Sequence, residues 1–265
     1  MEKTHRKYIS EIKEDELVAV SGWVHEIRDL AKLKFILLRD VSGIVQCVVI
    51  EEKMFKEFSK LRLESVIEIK GKVKKAGVKA ELARKEVEIE VQSIKIINLA
   101  EDLPIQVNEK QITTQLPLRL DYRYLDLRKP KIAAIFKIQS EIAHSFREFF
   151  YNKKFIEIQT PCIISAASEG GTELFPVQYF EKKAYLAQSP QLYKQMLACS
   201  MEKVFTITPV WRAEKHNTPR HINEIRQMDI EVAFTDQMSI MKHLEESVQY
   251  IVKSVMEKCN QELDL

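Results

Sequence analysis

Between residues 16 and 97, apolar and polar positions alternate in five runs: ELVAVSGWVHEI (16–27), LKFILLRD (33–40), GIVQCVVI (43–50), ESVIEIKGKVKK (64–75) and KEVEIEVQSIKII (85–97). A period of two belongs to a strand with one buried face, so the pattern predicts five strands. The VSG stretch at 41–43 predicts a turn between the second and third. Between the third and fourth, EEKMFKEFSKLRLE (51–64) predicts a charged amphipathic helix. Five strands with a helix inserted at that point predict an OB-fold barrel, an architecture that often binds oligonucleotides.

The alternation stops after residue 98. Pro104, Pro117 and Pro130 punctuate the next stretch, which predicts a hinge over 99–130 whose last proline suits the first turn of a helix. From Lys131 the apolar positions Ile132, Ile135, Phe136, Ala143, Phe146, Phe149 and Phe150 fall at helical spacing. FIEIQTP then reads as a short strand stopped by Pro161. A helix near 189–200 follows, then strands KVFTITPV and EIRQMDIEVAF, then a helix over about 237–259 capped by Asp236 or Thr235. The expected organisation is an all-β barrel domain (1–98), a hinge (99–130) and an α+β domain with an antiparallel sheet and helices (131–265).

Composition changes this picture little. Of the 265 residues, 45% are hydrophobic, enough for one large or two modest cores and too many for a disordered tail. Net charge is +2, so any basic surface for nucleic acid must be local. No apolar run approaches the roughly 20 residues of a membrane span, and the charged N-terminus does not read as a signal peptide. Cys47, Cys162, Cys199 and Cys259 lie far apart without metal-like spacing. They read as reduced thiols of a cytoplasmic protein, with no metal site predicted.

The chemistry concentrates in VWRAEKHNTPRH (210–221), a loop between two strands that carries Arg212, Lys215 and Arg220 beside His216 and His221. Taken alone, such a hairpin tip is more often merely solvated. The two histidines lack the H-E-x-x-H spacing of a zinc site. Gln191 and Lys194, three apart in AQSPQLYKQ, share a helix face, where one amide and one cation can hold a carboxylate. Ser168 and Glu169 open a Gly-Gly loop suited to a lid. Asp229 and Glu231 alternate on a strand and so share a face, as paired carboxylates for catalysis or for a metal do.

Taken in order, these segments resemble class II aminoacyl-tRNA synthetases. The helix and strand ending at Pro161 are similar to motif 1, and TPVWRAEKHNTPRHINEIRQMDIEVAF is similar to motif 2. With SEGGTELF, AQSPQLYKQ and the barrel, the whole chain looks like an aspartyl-tRNA synthetase of the archaeal and eukaryotic type. The resemblance implies ATP-dependent activation of aspartate and transfer to tRNA. Charge then builds on phosphate oxygens, where a planar, permanently charged Arg suits the task. It implies that Arg212 clamps the α-phosphate and substrate carboxylate as the catalytic residue, that Glu214 holds the adenine amino group, and that His221 lies by the ATP phosphates. Ser168, Glu169, Gln191 and Lys194 would bind aspartate, with Lys194 on its side-chain carboxylate and Glu169 on its ammonium. Asp229 and Glu231 would support the site, and His216 and Thr218 would meet the tRNA acceptor end.

In the barrel, the same resemblance assigns Arg28, Phe35, Gln46 and Glu88 to anticodon reading, with Phe35 stacking on a splayed base. By period alone, Phe35 is also compatible with a core position. His25 occupies a position where strictly aspartate-tRNA-specific relatives tend to carry Trp, which implies charging of asparagine tRNA as well. A homodimer through the region around Pro161 is implied too. The third motif, a glycine-rich strand and helix with an ATP-binding arginine, is expected outside these 265 residues, together with most magnesium ligands. The expectation is therefore a C-terminally incomplete chain, inactive alone. The rival readings are an asparaginyl-tRNA synthetase, disfavoured by a lysine at 194, and a non-catalytic tRNA-binding fragment. A synthetase-like asparagine-forming enzyme fits less well, because such enzymes lack the barrel.

Overall fold

Alternation in the first unit is that of a closed barrel. Every second residue of each strand faces one core: Ile36 and Leu38, Val45, Cys47 and Val49, Ile67 and Ile69, Val87, Ile89 and Val91. The computed structural model describes residues 5–30, 33–77, 83–108, 111–166, 173–215, 218 and 221–265. Strands β1 (Leu17–Leu30), β2 (Leu33–Asp40), β3 (Gly43–Val49), β4 (Val66–Lys75) and β5 (Val87–Asn98) close in the order β1-β2-β3-β5-β4. All neighbours are antiparallel except β3 and β5. The turn at 41–43 forms as expected, with the Asp40 carboxylate accepting from the backbone N–H of Ser42 at 2.7 Å and of Gly43 at 3.1 Å.

The helix expected over 51–64 is much shorter. A 3-10 turn at Glu52–Met54 runs into α1 (Phe55–Phe58); Met54, Phe58 and Leu61 are buried in the core, and the partly buried Phe55 packs against it. With three anchors, this crossover needs little regular helix to cover the barrel end.

The chain divides into two compact units, Met1–Lys129 and Pro130–Leu265. Residues 99–129 thus lie with the first. They contain the short helices α2 (Leu116–Asp121) and α3 (Arg123–Asp126), and Leu103, Ile105, Val107, Tyr122 and Leu125 form a small core of their own. Asp126 is fully buried, ion-paired with Arg119 at 2.9 Å and with Lys129 at 3.5 Å, and also meets Arg123. Burial pushes its carboxyl up, but the Arg119 hydrogen bond and the neighbouring cations outweigh that and hold it below the usual range.

In the second unit, α4 (Pro130–Asn152) follows the predicted helical spacing. The expected strand after it shrinks to β6 (Ile156–Glu157), and Pro161 does follow it. A small sheet, order β7-β9-β8, comes next: β7 (Ile163–Ile164), β8 (Pro176–Tyr179) and β9 (Lys182–Leu186). Then α5 (Gln191–Met201) leads into the hairpin of β10 (Lys203–Trp211) and β11 (Glu224–Val232). The second sheet has the order β11-β10-β6, with β6 parallel to β10.

One face of this hairpin carries Phe205, Ile207, Met228 and Ile230, packed on Phe146, Phe149 and Phe150 of α4 and on Tyr250 and Ile251 of α6 (Gln237–Lys258). Asp236 caps α6, accepting from the Ser239 N–H at 2.8 Å. The short α7 (Asn260–Leu263) ends the chain. No helix among the described residues is long and apolar enough to cross a membrane.

Candidate functional site

The hairpin's other face is polar. Register pairs Thr206 with Asp229, Thr208 with Gln227 and Val204 with Glu231, so these six side chains share one side. Helix α5 lies over it, its Leu197 and Ala198 packing with Val204 and Ile158. That packing aims the first turns of α5 at the carboxylates of β11. Lys194 Nζ stands 3.3 Å from Asp229 Oδ2 and 3.6 Å from Glu231 Oε2, and all three side chains are largely shielded from solvent. The shared strand face read from alternation therefore has one ammonium as its focus. Gln191 is half-buried in the first turn of the same helix, where its N–H donates to Ser189 Oγ at 3.1 Å.

At the base of the cationic loop, Asn223 acts as a clasp. Its side-chain amide donates to the carbonyls of Arg212 at 2.8 Å and Glu214 at 3.0 Å, and its own carbonyl accepts from the Arg212 N–H at 3.0 Å. Two further bonds hold the loop's entry: Trp211 N–H to the Ala187 carbonyl and Ala213 N–H to that of Glu173. Both Arg212 and Glu214 are half-buried. Farther out, Thr218 and His221 bridge through their backbones, with Thr218 Oγ1 2.6 Å from His221 Nδ1. His216, Ser168 and Glu169 lie outside the described residues. Sequence reasoning missed Asn223; the available signal was an Asn at the start of a strand, a residue type that commonly bonds nearby backbone.

In the barrel, register places four of the predicted residues on one outer face. Arg28 pairs with Phe35 across β1 and β2, Leu37 next to Phe35 on that face pairs with Gln46, and Gln46 pairs with Glu88. Phe35 is half-buried and absent from the barrel core, so the core position compatible with its period is not realised. Gln46 Nε2 donates to Glu88 Oε2 at 2.9 Å, and Arg28 Nε donates to Glu26 at 2.7 Å.

His25 differs from these four in being buried, 1% exposed. It sits in a bulge. Val24 pairs with Leu38 and Glu26 with Leu37, leaving His25 as the extra residue, outside the barrel-core cluster. Its Nδ1 lies 2.8 Å from Arg39, which pairs with Glu64 at 2.8 Å; Arg128 meets the same carboxylate at 2.8 Å. Burial first, and the Arg39 charge second, lower the His25 pKa and favour the neutral ring. No motif pointed to Arg39, Glu64 and Arg128, because they are far apart in sequence and meet only in the folded first unit, Arg128 coming from the segment after the barrel.

Among the described residues, no three His, Cys, Asp or Glu side chains converge on a possible metal position. The four cysteines are free thiols.

Comparison with known proteins agrees with this geometry. The model for tRNA synthetases class II (D, K and N) matches residues 115–265, and that for the OB-fold nucleic acid binding domain matches residues 18–97. An aspartate–tRNA(Asp/Asn) ligase of Archaeoglobus fulgidus is 48% identical over 267 residues, which is 97% of this chain and 61% of that protein. An aspartate–tRNA(Asp) ligase of Pyrococcus furiosus is 45% identical over 275 residues, 100% of this chain and 61% of that protein. The crystal structure of asparaginyl-tRNA synthetase from Pyrococcus horikoshii, complexed with asparaginyl-adenylate, superposes with a TM-score of 0.90 at 34% identity, covering 98% of this chain and 60% of that one. The chain thus spans about three-fifths of the length of the relatives it matches. It belongs to the class II tRNA synthetases of the D, K and N family, whose model matches residues 115–265, behind an OB-fold nucleic acid binding domain.

Proposed function

We propose that the chain supplies the tRNA-binding barrel and the amino-acid and ATP-binding part of an aspartate–tRNA ligase. The observation that carries this reading is Lys194, a shielded ammonium held between Asp229 and Glu231 on the polar sheet face. An ammonium has three N–H donors, and one left beyond the two carboxylates suits the side-chain carboxylate of aspartate. An amide substrate would gain much less from it, which speaks against asparagine despite the likeness to an asparaginyl enzyme.

Arg212 and Glu214, fixed through their carbonyls by Asn223, would take the α-phosphate and the adenine amino group of ATP, with His221 near the other phosphates. Thr218 and His216 would face the tRNA acceptor end, and Ser168 and Glu169 would close over the amino acid with Gln191. Among the described residues no three metal-ligating side chains converge, and magnesium carried on ATP would need only one or two carboxylates beside the phosphates. The outer barrel face with Arg28, Phe35, Gln46 and Glu88 would read the anticodon. His25 would act on that face only through the bulge it occupies. The name of the Archaeoglobus relative and the histidine at 25 support use of both aspartate and asparagine tRNAs. Exposed Ile156 and Ile163, flanking Pro161, support a homodimer through that region, and the free thiols support a cytoplasmic setting.

Titration calorimetry with L-aspartate and L-asparagine tests the amino-acid assignment. Aspartate is expected to bind more tightly, and Lys194→Leu to weaken it by about 3–5 kcal/mol, hundreds-fold or more, by leaving charges unpaired. Equal binding of the two amino acids by the unaltered chain would refute the assignment.

A further inference from the structure

Two polar atoms on the hairpin's polar face have no hydrogen-bond partner among the described residues: Thr206 Oγ1 and Gln227 Oε1, both covered from solvent. Thr206 is 1% exposed, while Gln227 as a whole is half-buried. A covered polar atom without a partner costs free energy, so it calls for a group that meets it in another state. The cross-strand neighbours do not serve. Thr206 is opposite Asp229, which faces Lys194, and Thr208, opposite Gln227, stands 3.5 Å from Thr160 Oγ1. Gln227 and Thr206 are diagonal neighbours on one face, a spacing that a long side chain bridges. Along β11, Gln227 precedes Asp229 by two residues, about 6.6 Å towards the end where Glu224 pairs with Trp211, next to Arg212. It therefore lies between the Lys194 cluster and the base of the Arg212 loop.

We infer that Gln227 positions the α-ammonium of the amino acid, a contact that rests on the reading of Lys194 as the partner of the side-chain carboxylate. With that end on Lys194 and the α-carboxylate towards Arg212, the α-carbon and its ammonium lie over Gln227. The last torsion of a glutamine side chain is soft, so its amide plane turns at little cost. Turned over, Oε1 comes to the open side and accepts one N–H of the ammonium, while Nε2 faces inward and donates to Thr206 Oγ1. One rotation thus supplies partners for both atoms. An ammonium has three N–H donors, so this contact leaves two for Glu169 and other acceptors. A neutral acceptor also adds no negative charge beside the carboxylates of the substrate.

Titration calorimetry of the 265-residue chain with L-aspartate and with succinate, which is aspartate without its ammonium, isolates the contact. The unaltered chain is expected to prefer aspartate. Gln227→Leu is expected to cut the ratio of the two affinities about tenfold or more, the size of a hydrogen bond to a charged group, through aspartate alone. Thr206→Val is expected to lower the ratio as well, with Tm unchanged or higher, because the hydroxyl it removes has no partner in the free chain. Gln227→Glu keeps an acceptor and is expected to keep the ratio, although both ligands bind more weakly beside the added charge. Equal binding of aspartate and succinate by the unaltered chain, a ratio unmoved by Gln227→Leu, or equal weakening of both ligands would overturn the inference. So would a Thr206→Val chain with lowered Tm and an unchanged ratio, which would mark the hydroxyl as structural. Failure of the Lys194 reading looks different: Lys194→Leu would then leave both ligands binding as before, whatever the ratio does in the Gln227 variants.

Discussion

Glu141 on α4 gathers three donors on one carboxylate oxygen: Ser145 Oγ at 2.9 Å, Ser254 Oγ at 2.7 Å and Lys258 Nζ at 2.9 Å. The last two come from α6, so this residue ties the two long helices together. The Lys258 hydrogen bond, and with it the two hydroxyls, overcomes desolvation and draws the carboxyl down to about 2, from 4.5 in an ordinary setting. A carboxyl depressed in the folded state stabilises fully above its unfolded pKa, and that stabilisation is lost as pH falls from about 4.5 towards 2. Glu141→Gln is expected to cost about 1–2 kcal/mol at pH 7, discounted because Lys258 is half exposed. The gap from the unaltered chain should shrink steadily below pH 4.5. Urea unfolding at pH 7 and pH 3 measures both, and an equal penalty at the two pH values would rule out the ionic account. Lys194 differs from Glu141 in kind: it stands 3.3 and 3.6 Å from two carboxylates, a looser set than the three short bonds on Glu141.

The barrel strands depend on two close backbone approaches. A Cβ on Gly71 would overlap the Glu90 carbonyl oxygen and stand 2.7 Å from Ile89 Cγ2, and one on Gly22 would overlap the Arg39 carbonyl oxygen. Gly71 adjoins a register shift between β4 and β5, where the barrel wall bends. Gly71→Ala is therefore expected to cost about 3 kcal/mol or more, because the obstacle is backbone rather than a movable side chain. Thermal unfolding followed through Trp23 fluorescence in a Trp211→Phe background would report it, and an unchanged barrel transition would contradict the crowding. Elements also differ in how legible they were. Strands β1 to β5 and helices α4 and α6 have long periodic runs. The β7, β8 and β9 strands are two to five residues long and largely exposed, so they lack the buried alternation by which strands are recognised.

Across the whole chain, near-zero net charge coexists with two separate polar surfaces, one in each unit. Binding of tRNA by the barrel should weaken linearly in log affinity against log salt, as phosphate contacts release counterions. Phe35→Ala is expected to cost about 1–3 kcal/mol without altering that slope, because stacking on a base displaces no counterion. Filter binding of aspartate and asparagine tRNA transcripts at several salt concentrations checks this, with comparable affinities expected for the two. A changed salt slope would mean that Phe35 holds the backbone path instead of a base, and a strong preference for one transcript would end the proposal of dual use.

By itself, the sequence determined the barrel, the two long helices, the hairpin and the family, because each rests on local periodicity or on ordered motifs. It also put Asp229 and Glu231 on one strand face, since alternation is a property of the strand alone. Only the tertiary structure decided what those carboxylates meet, because α5 reaches β11 through packing of Leu197 and Ala198 on Val204, more than thirty residues from Asp229 to Lys194. The same holds for His25. Its neighbours predicted an ordinary strand position, but it is the extra residue of a one-residue bulge, visible only when β1 is paired with β2, and makes a buried contact with Arg39. Asn223 became a clasp for the same reason: the bonds that fix Arg212 and Glu214 exist only once the two arms of the hairpin lie side by side.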